Sequence, residues 1–191
     1  MSLPQTSSMT AAQYLEREHV AETRSEFLNG QVLAMAGTSW PHNDIVANLQ
    51  GTLLPQLRTR GCRGYSHDMR VAVKTQDSYF YPDFVAYCGA REEIQGATAT
   101  LLNPILVIEV LSPSTEGYDR GMKFFHYQQI SSLQQYVLVA QERPLVEVYT
   151  RQGDGSWRYD AFSGLAATAS MVSVEATVPL AELYREVSFA A

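Results

Sequence analysis

The stretch Ile105-Leu106-Val107-Ile108-Glu109-Val110-Leu111 decides the fold. Apart from Glu109 it is a continuous apolar run rich in β-branched residues. Central strands buried on both faces of a sheet read this way. A carboxylate inside such a strand is costly unless it is ion-paired or bound to a cation. Two explanations follow for Glu109: a buried salt bridge to an Arg or Lys, or a metal site. The metal site requires a second carboxylate on a neighbouring strand.

That second carboxylate lies upstream. Asp83, in Tyr81-Pro82-Asp83-Phe84-Val85, also falls within an apolar, strand-like segment, although Pro-Asp suits a turn or strand end equally. Two carboxylates on adjacent strands can converge on a hard divalent ion such as Mg²⁺ (or Mn²⁺), which takes oxygen ligands and keeps several waters. Downstream, Asp119, Lys123 and Tyr127 fall on one helix face at i, i+4 and i+8. A lysine beside a metal-held water can orient that water or stabilise charge developing on phosphorus. The plainer alternative is a solvated Asp119–Lys123 pair worth about 0.3–0.5 kcal/mol. Glu26, in Arg24-Ser-Glu-Phe-Leu-Asn-Gly30, is a fourth candidate, or else a solvated edge-strand residue. His42, opening the next helix, either lines the same cleft or serves a local role. Ser66-His67-Asp68 names the members of a hydrolytic triad, but residues adjacent on a strand point to opposite faces and cannot form one.

The remaining chain reads as helices around a mixed sheet. Thr10 with Gln13 forms a capping box for a short helix through Tyr14 and Leu15. Asn29-Gly30 joins two short runs as a hairpin. Ile45, Val46, Leu49, Leu53, Leu54 and Leu57 form one stripe of a helix spanning about 42–60, with a kink expected at Pro55. Strands are expected over 69–74 and 79–87, with a loop from 88 to 103 and a second loop from 112 to 118. A helix over 119–130 precedes strands 135–140, 145–150, 157–162 and 171–174, and a short helix over 180–185 ends the pattern. This order gives a single α/β (mixed α+β) sandwich with a central mixed sheet and flanking helices. It spans 1–191 with its core at about 10–185, and no linker or repeat divides it.

Composition bounds the function. The chain has 191 residues, 46% hydrophobic and 18% charged, as an ordinary globular protein does. Its formal net charge is −6. That argues against a broad basic nucleic-acid surface, but not against a carboxylate site whose metal supplies the positive charge. No apolar run reaches the roughly 20 residues of a membrane span. Met1 to Thr10 lacks the pattern of a signal peptide. The expectation is therefore a cytoplasmic protein. Cys62 and Cys88 are far apart and have no CxxC partner, so two separate buried thiols are expected.

Glu109-Val-Leu-Ser-Pro-Ser-Thr115, with Tyr118-Asp-Arg-Gly-Met-Lys123 and Tyr127, closely resembles the hallmark stretch of the Uma2 family (DUF820) of restriction-endonuclease-like proteins. Tyr81-Pro-Asp83 resembles its Pro-Asp motif, and Glu26-Phe-Leu-Asn-Gly30 its N-terminal segment. His42 with Asn43, Ile45 and Leu49 resembles the helix that follows, and Gln134 to Val139 the strand after the hallmark. The resemblance covers about residues 10 to 185. It implies a PD-(D/E)XK nuclease fold and often a homodimer. In that superfamily a Lys stands two residues after the Glu. Here Leu111 holds that place, and the resemblance implies that Lys123 supplies the amine from the next helix.

Residues and resemblance together lead to a Mg²⁺-dependent endonuclease hydrolysing phosphodiester bonds of nucleic acid, DNA foremost. Asp83 and Glu109 hold the metal, with Lys123 and Glu26 completing the catalytic set. The rival is a catalytically inactive nuclease-fold protein acting as a binding or regulatory module.

Overall fold

The structure is a computed structural model that describes residues 9–35, 37–66, 68–95 and 99–189. Residues 1–8, where no leader was expected, and His67 of the Ser66-His67-Asp68 run lie outside the described residues.

Helix α1 (Ala11–Val20) starts at the expected capping box: the Thr10 side chain accepts from the Gln13 N–H, and Gln13 reaches back to the Thr10 N–H. Strands β1 (Ser25–Leu28) and β2 (Gln31–Ala34) form the hairpin, with positive φ at both Asn29 and Gly30 as a tight I′-type turn requires. Helix α2 (Trp40–Thr59) begins at Ser39, whose hydroxyl accepts from the His42 N–H, and continues through Pro55. The apolar stripe read from the sequence is its buried face.

Next come β3 (Cys62–Ser66), β4 (Arg70–Val73), β5 (Ser78–Phe80), β6 (Phe84–Cys88), β7 (Thr100–Leu101) and β8 (Leu106–Leu111). After β8 the chain forms one continuous helical stretch: α3 (Glu116–Tyr118), a π-helical turn (Asp119–Lys123) and α4 (Phe124–Tyr127). It ends with β9 (Gln135–Ala140), β10 (Leu145–Arg151), β11 (Trp157–Ser163), β12 (Thr168–Met171), β13 (Ala176–Pro179) and α5 (Leu180–Leu183).

Two sheets stack. One has the order β2-β1-β5-β4-β7 and the other β11-β10-β9-β8-β6-β3, while β12 and β13 form a separate pair. β8 is the expected central strand, antiparallel to β6 and parallel to β9, with all six residues buried. Side chains alternate across it. Leu106, Ile108 and Val110 pack toward α2, β12, β13 and α5, whereas Val107 and Leu111 join Val71, Val73 and Phe80 of the other sheet and Tyr127 of α4. Tyr14 of α1 covers the far side of the five-stranded sheet, stacked on Phe27.

Several expectations need correction. The strand expected over 79–87 is two strands in different sheets, because Tyr81-Pro82-Asp83 carries the chain from one sheet to the other. Pro82 has no N–H for a ladder, which favours a break there. The segment 88–103 is not all loop, since β7 pairs parallel with β4. The helix expected over 119–130 begins at Glu116 and ends at Tyr127. The strand expected over 171–174 ends at Met171, with a 3₁₀ turn over Val172–Val174. Cys62 and Cys88 are not separate thiols. They are direct partners in the β3–β6 register and form a disulfide. Strand β3 escaped the sequence because Cys62-Arg-Gly-Tyr-Ser66 places a glycine mid-strand, so nothing showed that the cysteines faced each other.

That glycine is where α2 approaches β3. A Cβ at Gly64 would lie 2.6 Å from Phe84 and 2.8 Å from Leu57. Gly64→Ala is therefore expected to overpack this contact and cost about 1–3 kcal/mol, read as a lower urea midpoint with unchanged slope. A variant as stable as the parent would mean that α2 does not seat this closely.

Candidate active site

Glu109 projects from β8 on the face that carries Val107 and Leu111, between the two sheets, and is buried. Asp83 immediately precedes β6. The β6–β8 register pairs Phe84 with Ile108, so one step further sets Asp83 across from Glu109. Both line one cleft of about 540 Å³ together with Glu26, His42, Tyr118, Asp119 and Lys123. Asp83 is fixed at both oxygens: Oδ2 accepts from the Val110 N–H at 2.7 Å, and Oδ1 lies 3.0 Å from His42 Nε2. The His42 ring thus lines the cleft through Asp83, the first of its two readings.

The centre of the site is the Lys123 ammonium. It lies 3.0 Å from Glu26, 3.0 Å from Glu109 and 3.5 Å from Asp119, and all four side chains are buried. The solvated-pair reading of Asp119 and Lys123 is therefore wrong, because the π turn directs both side chains inward. Such turns recur at functional sites. The Tyr127 hydroxyl donates to Glu109 Oε1 at 3.3 Å, so the i, i+4, i+8 face converges on Glu109. Leu111, at the place usual for the lysine, is buried apolar packing. Glu26 also accepts from the Tyr81 N–H at 3.1 Å, which ties the first hairpin to the crossing that presents Asp83. Asp119 and Tyr127 were absent from the sequence-based set, although the helical spacing already held the signal for both.

The electrostatics follow from burial. Desolvation pushes Glu109 well above the usual carboxylate range. Lys123 opposes that shift, while Asp119, Asp83 and Glu26 add to it. Burial likewise raises Asp119, against the pull of Lys123. Burial alone would lower Lys123, but the fields of Glu109, Glu26, Tyr127 and Asp119 outweigh it and hold the amine well above its ordinary value. The lysine is thus charged at neutral pH and is shared by three buried carboxyl groups.

Among the described residues, no three His, Cys, Asp or Glu side chains converge as a ready metal cage. Mg²⁺ does not need one, since it is commonly held by one or two carboxylates plus waters and substrate oxygens. Hard oxygen donors in anionic excess, two of them facing across adjacent strands, fit such an ion.

The family model Uma2, described as "Putative restriction endonuclease", matches residues 11–183. Two uncharacterised proteins of Synechocystis sp. are similar. One, sll1609, is 36% identical over 157 residues, covering 82% of this chain and 89% of its own. The other, slr1290, is 33% identical over 149 residues, covering 78% and 77%. Among solved structures, a "putative nuclease belonging to DUF820" from Anabaena variabilis superposes with a TM-score of 0.71 at 19% identity, covering 92% of this chain and 97% of that one. At that identity the likeness establishes the fold.

Proposed function

Because the chain belongs to the Uma2 family, we propose that it is a divalent-cation-dependent nuclease hydrolysing phosphodiester bonds of DNA. The observation that carries this reading is the charged, buried Lys123 shared by Glu26 and Glu109 at the bottom of an open cleft. When bound, Mg²⁺ or Mn²⁺ supplies positive charge against the phosphate and makes water a competent nucleophile at neutral pH. Asp83 and Glu109 would hold the ion, with Glu26 contributing through a water. The Val110 N–H and His42 fix the orientation of Asp83, and the Tyr127 hydroxyl fixes that of Glu109. Lys123 presents N–H donors to the attacking water or to a phosphoryl oxygen as its charge grows. A water oxygen adds to phosphorus and gives up a proton to solvent, the phosphorus–oxygen bond to the leaving sugar breaks, and that sugar oxygen takes up a proton.

The test is cleavage of plasmid and oligonucleotide DNA with Mg²⁺ or Mn²⁺ against a chelator control. Glu26→Gln is expected to slow cleavage roughly 10–100-fold, the scale of losing an outer contact to a metal site. Full activity in that variant would remove Glu26 from the machinery. A homodimer belongs to this reading, since a duplex cutter commonly needs two sites about a two-fold axis. A monomer by light scattering at micromolar concentration would remove the dimer from it.

One observation favours a second reading. Among the described residues no arginine lines the cleft, and its lysine is committed to carboxylates, so a non-catalytic binding module is the rival. Calorimetric binding of Mn²⁺ without cleavage of any DNA would select it.

A further inference from the structure

Tyr118 lines the cleft without belonging to the set Asp83, Glu109, Glu26 and Lys123. Its hydroxyl is buried and has no hydrogen-bond partner among the described residues. A buried donor left unpaired destabilises a fold, and in a native protein it calls for an explanation. Its surroundings supply one. Tyr118 ends α3, and the π turn follows directly. At about 3.6 residues per turn, an α-helix would carry Lys123, five residues on, away from Tyr118. The π turn, bonded from i to i+5, instead brings the two together, and the Lys123 ammonium lies 5.9 Å from the Tyr118 ring centroid. Burial first, and the charge of Glu26 next, push the hydroxyl above the ordinary tyrosine value, against the pull of Lys123. The hydroxyl is thus a neutral donor that adjoins Glu26 without a hydrogen bond of normal geometry to it. Lys123 and the Tyr81 N–H meet Glu26 at one oxygen, Oε1, which leaves Oε2 for a further donor.

We infer that Tyr118 is a positioning residue of the cation site, its hydroxyl donating to Glu26 when that carboxylate turns to a bound divalent ion. The inference rests on the nuclease reading only for Glu26 serving such an ion. A hydrogen bond formed in the loaded state and absent from the apo fold favours the loaded state alone. The hydroxyl therefore contributes to ion affinity and not to apo stability, whereas a hydroxyl that serves the fold would do the reverse. That difference in sign separates the two roles.

Tyr118→Phe removes the hydroxyl and keeps the ring. The apo variant is expected to melt at or above the parent, since the orphan donor is gone and no bond is lost with it. Mn²⁺ titrated calorimetrically into the full chain is expected to bind the variant about ten-fold more weakly, the scale of losing an outer partner of a metal site. Because the hydroxyl acts through Glu26, the Tyr118→Phe and Glu26→Gln losses should not add. The double variant is expected to bind Mn²⁺ no more weakly than Glu26→Gln alone. Additive losses would place the action of Tyr118 elsewhere and overturn the inference. A melting temperature several degrees below the parent's also overturns it, by giving the hydroxyl a partner in the fold. Parental Mn²⁺ affinity in Tyr118→Phe, with DNA still cleaved, overturns the inference and leaves the nuclease. Weakened Mn²⁺ binding in Tyr118→Phe, with no DNA cleaved by the parent, keeps the inference and defeats the nuclease reading. A parent that binds no Mn²⁺ overturns both.

Discussion

Lys123→Met is expected to abolish cleavage and to lower stability at neutral pH by about 3–5 kcal/mol, the cost of removing one partner from a buried ion pair. The amine is the cation that Glu26, Glu109 and Asp119 share inside the protein. Methionine fills the space and leaves those carboxylates facing one another. The pH dependence carries the signature. Glu109 and Asp119 are already raised by burial, and without the ammonium they rise further. A carboxyl raised in the folded state binds protons that the unfolded chain releases. Its contribution is therefore present at low pH and is lost as pH rises from the ordinary carboxylate range through the folded value. Lys123→Met should thus recover stability as pH falls through that window. The parent keeps its lysine charge throughout, because the raised amine gives up its proton only above the ordinary lysine value. Urea denaturation of both proteins across pH measures this. Equal midpoints at neutral pH would mean that Lys123 is not the keystone of the cluster.

Glu109→Gln and Asp83→Asn are expected to abolish cleavage without loss of apo stability. Were the Glu109–Lys123 pair isolated, Glu109→Gln would strand a buried cation. Here Lys123 keeps Glu26 at 3.0 Å and Asp119 at 3.5 Å, and one of several repelling anions is gone. The apo variant should melt at or above the parent at neutral pH. Added Mg²⁺ should raise the parent's melting temperature, by about 2.7 kcal/mol of stabilisation at 100 times the dissociation constant. Neither variant should follow. A large fall in the apo melting temperature of Glu109→Gln, with no Mg²⁺ effect on the parent, would falsify the catalytic reading in favour of a structural ion pair.

The central strand was legible as a continuous apolar run, the first hairpin from its Asn29-Gly30 turn, and α2 from a single helical stripe. Glu109 was legible because it is the one charge inside that run. The crossing at Tyr81-Pro82-Asp83 was not, since both strands it joins are apolar and only tertiary packing assigns them to different sheets. Lys123 and Asp119 share a spacing that suits a solvated pair as well as a buried one. What distinguishes the two is the π turn and the second sheet across from it, and neither is written in the local sequence. The Cys62–Cys88 bridge depended on a glycine-bearing strand that has no periodic signal.

Joining two sheets at Tyr81-Pro82-Asp83 has a consequence during synthesis. Glu26 comes from the first hairpin, Asp83 from the crossing, Glu109 from the central strand and Lys123 from the helix behind it. A nascent chain emerging from the ribosome presents these groups in that order, and the amine that gathers the carboxylates comes last. Until the helix bearing Lys123 folds onto the sheets, the carboxylates have no common centre and the growing polypeptide carries no assembled site.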